Sequence, residues 1–150
     1  MFAEEDARGV TFPHDDALII KATIGGSVVD RILVDPGSAV DIISKEALDS
    51  LGVEFVILTD DGTPLYGFGG SMVVPLGRIQ LAMTIGAHPR ARTIMINFTV
   101  ADCMSSYQVI VGRPFMMKTK AAMSSYYLKL KFPTREGIGI VCGRMKVTPE

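Results

Sequence analysis

The sequence predicts a mainly β domain with one or two short helices, and three observations carry that reading. Apolar runs are short and closely spaced, turn signals rich in Gly, Pro and Asp separate them, and several alternate apolar with polar residues at period 2. Stretches suited to helix are scarce.

Taken in order, residues 1–14 form a flexible N-terminal segment, 15–143 the folded domain and 144–150 a flexible tail. Ala17 to Ile24 is an apolar run that Gly25-Gly26 turns back, and Val28 to Val34 is the return strand of this hairpin, ending at Asp35. After Val40-Asp41-Ile42-Ile43, Ser44 is placed to cap a two-turn helix over Lys45 to Leu51, with Gly52 just past its end. Leu65 to Gly77 reads as two extended arms around a tip whose Gly67, Gly69 and Gly70 make it mobile. Ile79, Leu81, Met83 and Ile85 then alternate with Arg78, Gln80, Ala82 and Thr84, a strand with one buried face. His88-Pro89-Arg90 interrupts it, and Thr93 to Val100 follows with Ile94, Ile96, Phe98 and Val100 on one side. Tyr107 to Val111 leads into Gly112-Arg113-Pro114, where Pro suits the start of a short helix over Pro114 to Met117. Tyr127 to Phe132 sets Leu128 and Leu130 against Lys129 and Lys131 as a half-exposed strand, and Ile138 to Cys142 answers it across the turn at Pro133 to Gly137.

With 150 residues the chain holds one domain with a single core, and 48% hydrophobic with 21% charged residues is the balance of a soluble globular protein. No run approaches the roughly 18 apolar residues of a membrane span. The acidic start, Met1-Phe2-Ala3-Glu4-Glu5-Asp6, is unlike a secretory leader, so the expected location is intracellular, by default cytoplasmic. A net charge of −1 argues against nucleic acid as the partner of this domain. Cys103, Cys142, His14 and His88 are dispersed without zinc-ligand spacing, so no metal or other cofactor is expected, and the cysteines read as reduced, partly buried thiols. The nine methionines, Met116-Met117 among them, read as core filler or the lining of an apolar cleft.

The chemistry is concentrated in Asp35-Pro36-Gly37-Ser38-Ala39, which follows the apolar strand Arg31-Ile32-Leu33-Val34. A strand thereby delivers a carboxylate to its end, where a turn holds it. Attack of water on a peptide bond without a metal requires two carboxylates sharing one proton, one as base and one as acid. The chain offers one such loop, so the two would come from the two copies of a homodimer. Ser38 has two readings here, a hydrogen bond that orients Asp35 or a cap on the turn. Asp-Pro-Gly is also ordinary turn chemistry. The other candidates are weaker. Asp60-Asp61-Gly62 lies too close to Asp35 to begin a second lobe and is a strong hairpin turn, and the glycines at 67–70 lack the Lys-Ser/Thr of a phosphate-binding loop.

Five blocks in order tie these readings together: His14 to Ile20, Ile32 to Ser38, Leu65 to Phe68, Val109 to Phe115 and Leu128 to Thr134. They resemble, in order and spacing, the protease region of plant Ty3/gypsy-type retrotransposon polyproteins. The resemblance implies a retropepsin-like closed β barrel, active as a homodimer in aspartic endopeptidase cleavage of a peptide or polyprotein through an activated water. It implies Asp35 as the catalytic aspartate, Pro36, Gly37, Ser38 and Ala39 as the active-site loop, and Gly37 as its turn glycine. Tyr66, Gly67, Phe68, Gly69 and Gly70 correspond to the flap over substrate, and Val109, Ile110, Val111 and Gly112 to the segment supporting the loop. One position departs from the pattern. Most members carry Thr or Ser where this chain has Pro36, and that hydroxyl grips the partner loop across the two-fold axis. Pro36 has neither hydroxyl nor N–H, so the second reading is an inactive retropepsin-like module for dimerisation or peptide binding.

Overall fold

The computed structural model describes residues 2–12, 16–52, 65–68, 71–73, 75–102 and 106–144. Its first strands, β1 (Ile19–Ile24) and β2 (Ser27–Val34), form an antiparallel hairpin. Gly25 and Gly26 link them at φ +58° and +86°, the paired left-handed geometry that two-residue hairpin turns require. β3 (Asp41–Ser44) runs directly into α1 (Lys45–Ser50), whose Ser44 Oγ accepts the Ala47 N–H at 3.0 Å. That is the N-cap expected from sequence.

β4 (Leu65–Phe68) and β5 (Ser71–Val73) pair as a small antiparallel hairpin of their own. Gly69 and Gly70, expected at its tip, lie outside the described residues, as do His14, Asp60-Asp61-Gly62, Cys103 and residues 145–150. β6 (Pro75–Ala87) and β7 (Arg90–Ala101) then form the longest antiparallel ribbon of the molecule. β8 (Val109–Val111) precedes α2 (Arg113–Thr119), with Pro114 in the first turn of the helix. β9 (Ala122–Ser124), β10 (Lys129–Thr134) and β11 (Gly137–Cys142) close the chain.

Six strands close a barrel in the order β1-β2-β8-β3-β7-β6, and β11-β10-β9 form a separate three-stranded sheet. β8 is the central insertion: it runs parallel to β2, with Leu33 opposite Ile110, and antiparallel to β3, with Ile43 opposite Val109. Ile79, Leu81, Met83 and Ile85 all point inward, as their alternation requires, and meet Ile20, Ile32, Ile96, Phe98 and Val109 in one core. Phe115 of α2 and Phe132 of β10 are buried in the same cluster. Among the described residues no helix is long and apolar enough to cross a membrane.

Several local features differ from the sequence expectation. β9 is a strand where none is expected. Leu128 stands outside the strand at φ +52°, and Lys129 is buried instead of half-exposed, because its ammonium reaches the carbonyls of Arg8 at 3.2 Å and Tyr127 at 3.4 Å. Cys142 is exposed. Within residues 1–14, Glu4–Ala7 forms a single 3-10 turn. The carboxylate of its buried Asp6 takes the Ala3 N–H at 2.8 Å and the Lys131 ammonium at 2.9 Å. Lys131 also lies 4.8 Å from the centre of the Phe2 ring, and Phe12 stacks on Tyr126 at 4.4 Å.

Candidate active site

The candidate site is a turn anchored at both ends. Ile32, Leu33 and Val34 are locked between β1 and β8, so Asp35 leaves the sheet from a fixed position, and its own N–H donates to Val111 O at 2.8 Å. The chain then reverses: Ser38 N–H donates back to Asp35 O at 3.0 Å, closing a β-turn with Pro36 and Gly37 at its centre. Pro36 occupies the second position, where its fixed φ suits the turn. Gly37 lies outside the left-handed region, which excludes a type II geometry. The Gly37 N–H donates to Asp35 Oδ1 at 3.0 Å, so the carboxylate is oriented by the turn it initiates. Asp35 is partly buried, and Pro36, Gly37 and Ala39 are exposed.

Ser38 resolves in favour of the turn. Its hydroxyl donates to Val40 O at 2.7 Å, not to Asp35, and its carbonyl accepts the Arg113 N–H at 2.9 Å. The loop is therefore stitched on one side to β8 and on the other to the start of α2. Gly112 sits where these meet: a Cβ there would press on Ser38 O and stand 2.8 Å from Val40 O. Val109, Ile110 and Val111 are all buried between β2 and β3. The segments around Asp35 and Gly112 are thus brought together by the fold. Tyr66, Gly67 and Phe68 lie in the β4–β5 hairpin, whose arms pair Leu65 with Val73 and Phe68 with Ser71.

Sequence reading passed over Asp41. It is buried, and its Oδ1 accepts the Gly112 N–H at 2.6 Å, tying β3 to the residue that packs on the Asp35 turn. Burial raises its pKa above the ordinary 3.8, while hydrogen bonds from the Gly112 and Phe115 backbone and the charge of Lys118 pull the other way. The signal available in the sequence was a lone acid inside the apolar run Val40 to Ile43, since a buried carboxylate demands a partner. Among the described residues, no three His, Cys, Asp or Glu side chains gather as a metal would require.

No protein-family model matches the sequence, and no curated protein matches it. Solved structures do. The retroviral protease-like domain of Ddi1 from Leishmania major superposes with a TM-score of 0.66 at 16% identity, covering 91% of this chain and 97% of that domain. The EIAV protease, in complex with the inhibitor HBY-793, gives a TM-score of 0.52 at 21% identity, covering 77% of this chain and 99% of the protease. At these identities the likeness establishes the fold: this chain has the closed β barrel of the retroviral protease-like domains.

Proposed function

We propose that the chain is an aspartic endopeptidase that works as a homodimer, each protomer contributing Asp35, and that it cleaves a peptide or polyprotein substrate. The observation that carries the reading is the Asp35 carboxylate at the end of β2, held by the Gly37 N–H in a turn fastened to β8 and α2. Fold likeness to retroviral protease-like domains supports it, as does an antiparallel β4–β5 hairpin over the residues that the sequence resemblance assigns to a flap. An origin in a plant Ty3/gypsy-type element belongs to the same proposal and rests on the five sequence blocks.

In this mechanism one Asp35 is ionised and the other protonated, because two carboxylates at such close range cannot both carry charge. The ionised carboxylate takes a proton from water as its oxygen bonds to the scissile carbonyl carbon, and the protonated twin gives its proton to the carbonyl oxygen. Transfer of a proton to the amide nitrogen and breakage of the C–N bond then yield the two peptide products and restore the shared proton. The flap pairs with the extended substrate and excludes bulk water. Asp35→Asn should abolish cleavage of a peptide library by the purified protein at mildly acidic pH while leaving the unfolding transition in place. Unchanged cleavage by this variant would refute the assignment.

Pro36 motivates a second reading, a dimerisation or peptide-binding module without hydrolysis. Self-association with no pepstatin-sensitive turnover at any acidic pH would favour it.

A further inference from the structure

We infer that a basic groove at the end of the barrel remote from the Asp35 turn is a docking site for an acidic peptide segment. The groove encloses about 970 Å³ between two hairpin tips and the end of α2. Its lining includes His88, Arg92, Lys120 and Arg135, with Glu136 as the one acid. In a chain whose formal charge is −1, this is a local excess of positive charge within a concavity.

The groove is built and not accidental. Arg92 Nη1 donates to Thr119 O at 3.1 Å, which fixes its guanidinium against the last turn of α2. Arg90 Nε donates to Glu136 O at 3.2 Å and fastens the β6–β7 tip to the β10–β11 tip. Lys120 and Arg135 are exposed, and among the described residues no acceptor engages either side chain. Two free cations beside one oriented guanidinium suit carboxylates spaced along an extended chain, to which Arg can bind in bidentate fashion. Pro89 and Pro133 supply apolar wall, and Thr93 and Thr134 lie beside the cations. Among the described residues that line the groove there is no Phe, Tyr or Trp, so it lacks the broad stacking platforms that single-stranded nucleic acid uses. Its volume sits at the upper end of the roughly 300–1,000 Å³ typical of ligand pockets, which fits a peptide segment better than one small anion.

The site is separate from the Asp35 turn. Asp41 pairs with Phe98, and Thr93 lies five residues further along β7, roughly 17 Å away at about 3.4 Å per residue. Occupancy can therefore be read without reference to hydrolysis.

The test is fluorescence anisotropy with a labelled peptide of alternating glutamate and serine, titrated with the whole chain at low and at high salt. Saturable binding that weakens with salt is expected, with affinity falling about tenfold in Arg92→Gln/Lys120→Gln/Arg135→Gln. Urea unfolding of the triple variant confirms that it is folded. Equal binding by the triple variant overturns the proposal, as does equal binding of a lysine–serine peptide. Competition by inorganic phosphate alone would reassign the groove to small anions, and tighter binding of oligothymidylate through the same three residues would reassign it to nucleic acid. Either result refutes the peptide assignment.

Discussion

Asp41 and Gly112 decide how firmly the Asp35 turn is held. Gly112→Ala forces a methyl group against Ser38 O and Val40 O, both backbone atoms, so something must shift. Overpacking of this kind costs about 1–3 kcal/mol, and urea denaturation should show a loss in that range. Asp41 imposes a pH dependence with a definite sign. Its folded pKa lies above 3.8, so between 3.8 and the raised value the folded chain binds more protons than the unfolded one, and stability falls as pH rises through that window. Asp41→Asn keeps an acceptor for the Gly112 N–H and carries no charge, so its stability should be flatter over the same window; an unchanged slope would exclude Asp41 as its source. At this scale the sequence was legible for Asp35 and Gly37, because strand-then-turn chemistry is local. For Ser38 two readings stayed open, because its partner Arg113 emerges only when the loop meets α2, although its bond to Val40 is local.

Among the elements, hairpins were the most readable part, since period-2 alternation and Gly-Gly or His-Pro punctuation are local signals. The barrel strand between Ile79 and Ile85 and the cap at Ser44 follow from the same kind of evidence. The β9 strand escaped because three residues are too few to show a period, and the burial of Lys129 escaped because its partner carbonyl belongs to Arg8. That contact joins the N-terminal turn to β10, and the Asp6–Lys131 ion pair reinforces it. The Asp6 pKa is lowered, first by the hydrogen bond from the Ala3 backbone and then by Lys131. Its contribution is full above 3.8 and disappears as pH falls through the lowered folded value. Asp6→Asn should therefore speed proteolytic clipping of residues 1–12 at neutral pH, with the difference from the parent chain shrinking in strong acid. Equal clipping rates at neutral pH would exclude the ion pair as the fastening.

For the whole molecule, the proposed dimer makes Pro36 the most informative position. Pro36→Thr restores a hydroxyl at each loop, and two recovered hydrogen bonds at about 0.5–1.5 kcal/mol each should tighten self-association by about 5- to 150-fold. Sedimentation over a range of protein concentrations measures this directly, and an unchanged dissociation constant would mean that the loops do not meet in the way proposed. Barrel closure itself was legible only through the resemblance of five blocks, because no local signal reveals that β8 slots between β2 and β3. That insertion also governs timing. On a ribosome the first hairpin and Asp35 emerge early, yet the N–H of Asp35 has no carbonyl to meet until Val111 has been made, and Ser38 O waits for Arg113. Contacts so distant in sequence form late and slowly. A nascent chain therefore carries its carboxylate in an unfinished turn until the last quarter of the domain is synthesised, and in the proposed enzyme this would hold back any cutting until the whole barrel exists.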